Sequence, residues 1–159
     1  MKTAVPSPQL AKHPFVAGLP YALVEELAPL AREVQFAPDQ VIFREGEDCR
    51  DFYLVLSGRV ALEMVSDGAA LRVQTVTGGD EFGWSAVLMG RGKHFQARAL
   101  DRVEALAFDG RAVIDLCRED TALGFEFMYR LLGVVSERLQ ATRLQLLDHT
   151  WPAAKRAGA

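Results

Sequence analysis

The chain has 159 residues, half of them hydrophobic and a quarter charged. That is the balance of a water-soluble globular protein with one well-buried domain and no room for a second large one. A formal net charge of −3 argues against a surface built mainly to hold nucleic acid or an anionic membrane, and Lys155 with Arg156 make too small a basic patch to reverse that. The two cysteines, Cys49 and Cys117, lie far apart without ligand-like neighbours, which sets aside zinc and iron–sulfur sites and any disulfide framework. Pro6, Pro8 and Pro14 interrupt the N-terminus, and no stretch approaches the roughly 20 apolar residues of a membrane span. A cytoplasmic protein that does not engage a membrane is expected.

Residues 1–13 read as a flexible, proline-punctuated lead-in. Pro20 opens a predicted helix through Arg32 with Leu23, Leu27, Leu30 and Ala31 on one face, and Pro29 predicts a kink or break in it. From Glu33 the pattern changes to short alternating runs: Glu33–Phe36, Val41–Arg44, Phe52–Leu56, Arg59–Val65, Leu71–Val76, Phe95–Ala99 and Val103–Phe108. Turn chemistry stands between them at Pro38-Asp39, Gly46, Ser57-Gly58, Asp67-Gly68 and Asp101-Arg102, which predicts an antiparallel barrel or jelly roll. Ser57-Gly58 reads as a tight hairpin turn with Gly58 at positive φ.

The stretch from Gly78 to Ala99, GGDEFGWSAVLMGRGKHFQARA, carries the candidate site. Its glycines allow successive N–H groups to line one concavity, and a helical turn over Ser85–Leu88 would aim its first amides there, as in phosphate cradles. Arg91, Lys93 and His94 follow within reach of an anion held at that point. A polar surface turn between two strands accounts for the same residues. His94 reads equally as a partly buried polar residue, because neither His13 nor His149 stands near enough in sequence to act as a companion metal ligand.

After Asp109-Gly110 the period becomes helical. Arg111–Arg118 predicts a short helix with Val113, Ile114 and Cys117 inward, and a longer helix begins near Thr121 with the threonine as its cap. Along it Phe125, Met128, Leu132, Val135, Leu139, Thr142 and Leu146 alternate at three- and four-residue spacings, the a/d repeat of a coiled coil. Phe127, Leu131 and Val134 form a second stripe beside it. One face is thereby suited to internal packing and the other to a partner helix, so a homodimer is expected; a surface helix packed only within a monomer accounts for part of the same pattern.

The order FREGEDCRDFYLVLSGRVAL, GGDEFGWSAVL, KHFQARA and two C-terminal helices resembles the cyclic-nucleotide-binding domain of the catabolite-activator/FNR-like (Crp/Fnr) regulators, from about Phe15 to Leu147. The resemblance implies a mainly β, α+β fold: an eight-stranded double-stranded β-helix, or jelly roll, with an N-terminal helix, a short cassette helix and a long dimerisation helix. The implied division is a lead-in over 1–13, a β-roll with its flanking helices over 14–120, the long helix over 121–147 and a tail over 148–159. In that family the cassette reads G-E-L-A-L followed by R-[ST]-A, its glutamate accepting from the ribose 2′-hydroxyl and its arginine neutralising the cyclic phosphate. Here Gly83 matches, Trp84 stands at the glutamate position followed by Ser85 and Ala86, and Lys93 stands at the arginine position followed by His94 and Phe95. A charge-assisted hydrogen bond contributes roughly 1.5–3 kcal/mol, so loss of the carboxylate weakens a ribose contact by about ten- to a hundredfold. Lysine keeps the charge without the two-pronged geometry, and Arg91 is a nearby substitute. Trp84 packs under the cassette, stacks on an aromatic ligand, or plugs the pocket.

The expectation is a non-enzymatic sensory module. It binds a small anionic ligand, cAMP or cGMP by resemblance, beside Gly83, Trp84, Ser85, Ala86, Arg91, Lys93 and His94. No catalytic residue, metal or required cofactor is expected. A dimeric interaction scaffold without ligand is the alternative. Regulators of this family that read DNA carry a helix-turn-helix after the long helix, whereas only Asp148–Ala159 follow here, so no DNA binding by that route is expected. No residue names the effector protein that would read the signal.

Overall fold

The computed structural model describes residues 5–48, 50–88 and 95–150. The chain divides into two units, one ending at Glu126 and one beginning at Phe127. Among the described residues the first unit holds helices α1 (Ser7–Leu10) and α2 (Tyr21–Leu27), then strands β1 (Ala31–Phe36), β2 (Val41–Phe43), β3 (Asp51–Ser57), β4 (Val60–Ser66), β5 (Ala69–Val76), β6 (Glu81–Phe82), β7 (Gln96–Ala99) and β8 (Val103–Asp109). Helix α3 (Gly110–Glu119) follows, and α4 (Thr121–Thr150) begins in this unit and runs on into the second.

The strands form two antiparallel four-stranded sheets, ordered β1-β8-β3-β6 and β2-β7-β4-β5. Their alternation explains the core. Tyr53, Val55, Val60, Leu62, Ala97, Ala99, Val103, Ala105 and Ala107 meet in one apolar cluster, while the intervening Phe52, Leu54, Leu106 and Phe108 are buried on the opposite face of the first sheet, where Phe15 lies 5.4 Å from Phe52 between ring centres. A two-residue strand such as β6 is too short to carry an alternating signal. The seven longer strands fall where turn chemistry brackets them.

Three expectations are corrected. The helix expected through Arg32 ends at Leu27, because Pro29 sits in a 3-10 turn over Ala28–Leu30 and the chain is already extended at Ala31. Arg32 is therefore a strand residue opposite Ala107. The segment expected as a loose lead-in contains α1 and buries Leu10 and His13. The cap of α4 is Asp120 rather than Thr121: its Oδ1 accepts from the amides of Ala122 and Leu123 at 3.0 and 3.1 Å. Asp109 does the same for α3, accepting from Ala112 N–H at 2.9 Å.

Candidate ligand-binding cassette

The approach to the cassette is a hydrogen-bonded turn laid on β3. Asp80 Oδ2 accepts from the Thr77 amide at 2.8 Å. The Gly79 amide donates to the Val55 carbonyl at 2.9 Å, and the Val55 amide returns a bond to the Asp80 carbonyl at 2.9 Å. β6 then pairs with β3, placing Phe82 opposite Tyr53. Their rings stack with centres 4.6 Å apart, and burial pushes the Tyr53 phenol up to about 12, helped by the Asp51 carboxylate and opposed by Arg32. Gly83 has φ 77° and ψ 22°, a left-handed conformation that costs a residue with a side chain free energy and glycine little. The chain turns there into a 3-10 helix over Trp84–Ala86.

This short helix rests against the start of α3. A Cβ built on Gly110 would collide with the Ala86 carbonyl oxygen, so the two backbones approach as closely as a side-chain-free residue permits. Gly110 N–H also donates to the Arg50 carbonyl at 2.8 Å, which ties the entry of β3, the cassette and α3 together at one end of the roll.

The predicted site residues are placed unevenly. Gly83, Trp84, Ser85 and Ala86 do form the turn, with Trp84 half-buried and Ser85 buried. The Ala86 amide, however, donates to the Gly83 carbonyl at 3.0 Å, because a 3-10 turn bonds residue i to i−3 and engages an amide that one α-helical turn would leave outward. The Ala86 amide is thus engaged within the turn. Arg91, Lys93 and His94 lie outside the described residues. Arg98 on β7 is held by Glu63 and Asp39: its Nη2 lies 2.5 Å from Glu63 Oε1 and its Nη1 3.3 Å from Asp39 Oδ1.

A cation that the sequence pattern did not single out stands at the same end of the roll. Arg32 pairs with Asp51 at 2.6 Å. Register places Arg32 and Tyr53 on either side of Ala107, with Phe82 next in the row. The signal that would have found it is the start of β1: once the chain is extended at Ala31, Arg32 shares a face with Val34 and Phe36, which pack on the core cluster.

On α4 the heptad positions differ sharply in exposure. Phe125, Leu132, Leu139 and Leu146 are 59–70% exposed, whereas Phe127 and Leu131 are buried. Met128, Val135 and Thr142 are half-buried, and the Thr142 hydroxyl donates to the Arg138 carbonyl at 2.9 Å. Among the described residues no group of three or more His, Cys, Asp or Glu is arranged to hold a metal, and no helix is long and apolar enough to cross a membrane.

Known proteins agree with this geometry. The curated potassium channel AKT1 of rice (Oryza sativa, indica and japonica) is 25% identical over 121 residues, and the match covers 76% of this chain and 13% of the channel. A solved cyclic nucleotide-binding domain from Methylobacillus flagellatus KT superposes with a TM-score of 0.83 at 15% identity, covering 94% of this chain and 89% of that one. The catabolite activator protein of Thermus thermophilus gives 0.70 at 24% identity, covering 84% and 61%. At these identities the structural likeness carries the fold alone. The profile of the cyclic nucleotide-binding domain matches residues 33–120, more than half of the chain and the path from within β1 through the cassette to the end of α3. With that match laid over a β-roll whose Gly83 turn feeds a short helix against α3, the chain belongs to the cyclic nucleotide-binding domain family.

Proposed function

We propose that the protein is a non-enzymatic sensory module that binds a small anionic ligand, a cyclic nucleotide, at the turn over Gly83–Ser85, with Arg91, Lys93 and His94 on the segment that follows. The observation that carries this reading is the contact between Ala86 and Gly110. A ligand that shifts the cassette must displace or tighten the first turn of α3, and hence bias the hinge over Asp109–Asp120. Such a bias requires the ligand to bind one of two packings more tightly than the other. Calorimetric titration of the full chain with cAMP and cGMP is expected to give saturable heat weaker than a glutamate- and arginine-bearing cassette would, by about ten- to a hundredfold for the missing carboxylate.

A second reading is favoured by Trp84 at the glutamate position and by the engaged Ala86 amide. In it the cassette holds no ligand and the protein is a dimeric interaction scaffold. Absence of both heat and thermal shift at millimolar nucleotide selects that reading over the first.

Both readings include a homodimer through α4, supported by the exposure of Leu132 and Leu139 seven residues apart, 66% and 70%. Burying one leucine side chain stabilises by about 1.5–3 kcal/mol. Leu132→Asp combined with Leu139→Asp is therefore expected to raise the dimer dissociation constant by more than about a hundredfold. Sedimentation velocity checks this, and a variant profile identical to the parent's removes the coiled-coil reading.

A further inference from the structure

His13 is 4% exposed, and both its ring nitrogens have partners that dictate its protonation. Nδ1 lies 3.1 Å from the Phe15 amide, which can only donate, so this nitrogen is bare. Nε2 lies 3.1 Å from the Val55 carbonyl, which can only accept, so this nitrogen carries the proton. The imidazole is neutral and fully used. The same Val55 carbonyl accepts from the Gly79 amide at 2.9 Å, and the next residue, Pro14, covers Gly79 closely enough that a Cβ there would sit 3.3 Å from Pro14 Cγ. His13, Pro14 and Phe15 therefore clamp the turn that leads through Glu81–Phe82 into the cassette.

We propose that His13 is a pH-operated latch holding the N-terminal segment on the cassette turn, closed while the ring is neutral and released when it is protonated. A proton on Nδ1 would face the Phe15 N–H donor to donor and place a charge in a buried site. Opposite the ring, β3 presents the Val55 carbonyl, and the turn presents Asp80, whose carbonyl and carboxylate favour the charged ring. Burial outweighs them and holds the His13 pKa below its ordinary value. Because the folded pKa is the lower one, the latch contributes its full stability above the ordinary histidine range, and that contribution is lost as pH falls through the lowered value.

The latch is tested by following the full-length chain by 1H–15N and ring 1H–13C NMR as pH falls. The His13 ring is expected to titrate below the ordinary histidine midpoint of about 6.5, with the Phe15, Gly79 and Gly83 amide resonances shifting at the same midpoint. In His13→Gln, whose side chain does not titrate, that step is expected to vanish from the Gly79 and Gly83 signals. The proposal is overturned if His13 titrates at the ordinary value, or if the Gly79 and Gly83 signals do not follow its midpoint. The parent titration alone distinguishes these outcomes, even where the variant does not fold.

Discussion

Arg98→Ala is expected to destabilise the β-roll by about 3 kcal/mol at neutral pH, near the lower end of the cost of stripping one partner from a buried ion pair. Glu63 on β4 is 2% exposed. Its Oε1 meets Arg98 Nη2 at 2.5 Å, and its Oε2 accepts from Gln96 Nε2 at 3.0 Å and Arg98 Nε at 3.4 Å. Without the guanidinium, the carboxylate keeps Gln96 as its one neutral hydrogen-bond partner. The Arg98 side chain is itself 31% exposed, which is why the lower end of the range applies. Replacing both partners, Glu63→Leu with Arg98→Met, removes the orphaned charge and is expected to recover most of the loss.

The pH dependence gives an independent check. In the parent, the Arg98 hydrogen bonds hold the Glu63 carboxyl below its ordinary range, so the pair's stability is present above that range and is lost as pH falls through the lowered value. In Arg98→Ala the guanidinium that lowers this carboxyl is gone, so that share of the stability is already missing at neutral pH and less is left to lose on acidification. The gap in urea midpoint between variant and parent should therefore narrow toward acid. A variant that melts with the parent at neutral pH would mean that water reaches Glu63 and that the pair is not a buried one in solution.

The β-roll was legible because its strands alternate and its turns announce themselves. Val103–Phe108, a short apolar run that turn residues precede and follow, is a strand from Val103 to Asp109 buried on both faces, and Gly58 takes the positive φ of 87° that its place between two apolar runs implies. What failed was decided by partners distant in sequence. Arg32 looked helical because Leu27, Leu30 and Ala31 keep a helical period, yet pairing with β8 draws the chain straight from Ala31. The counter-charge of Arg98 arrives from Glu63, 35 residues earlier, and no local pattern records that. The cassette was half legible: glycine chemistry identified Gly83, while nothing local distinguishes the 3-10 turn, which engages the Ala86 amide, from an α-helical one. Gly110 itself marked only the point where the period becomes helical, since its close approach to Ala86 lies across the fold.

Gly110→Val is expected to force the cassette away from α3 and lower stability by about 1–3 kcal/mol, the usual range for overpacking, or roughly 2–12 °C in Tm for a chain of this size. The added Cβ would meet the Ala86 carbonyl oxygen, with the carbonyl carbon at 2.6 Å and the Ala86 Cβ at 2.9 Å. These are backbone and near-backbone atoms that cannot rotate aside. Relief must come from moving the whole turn, whose own bonds from Ala86 to Gly83 and from Val87 to Trp84, both 3.0 Å, oppose a local shift. Trp84 lies on that turn, so in a Trp151→Phe background its fluorescence should change along with the loss in Tm. Gly133→Ala on α4, where an added Cβ meets nothing within 4 Å, is the control and should gain up to about 1 kcal/mol from helix propensity. If Gly110→Val leaves both Tm and the Trp84 signal at parent values, the cassette and α3 are not in contact in solution, and a ligand at Gly83 would have no direct mechanical route to the hinge.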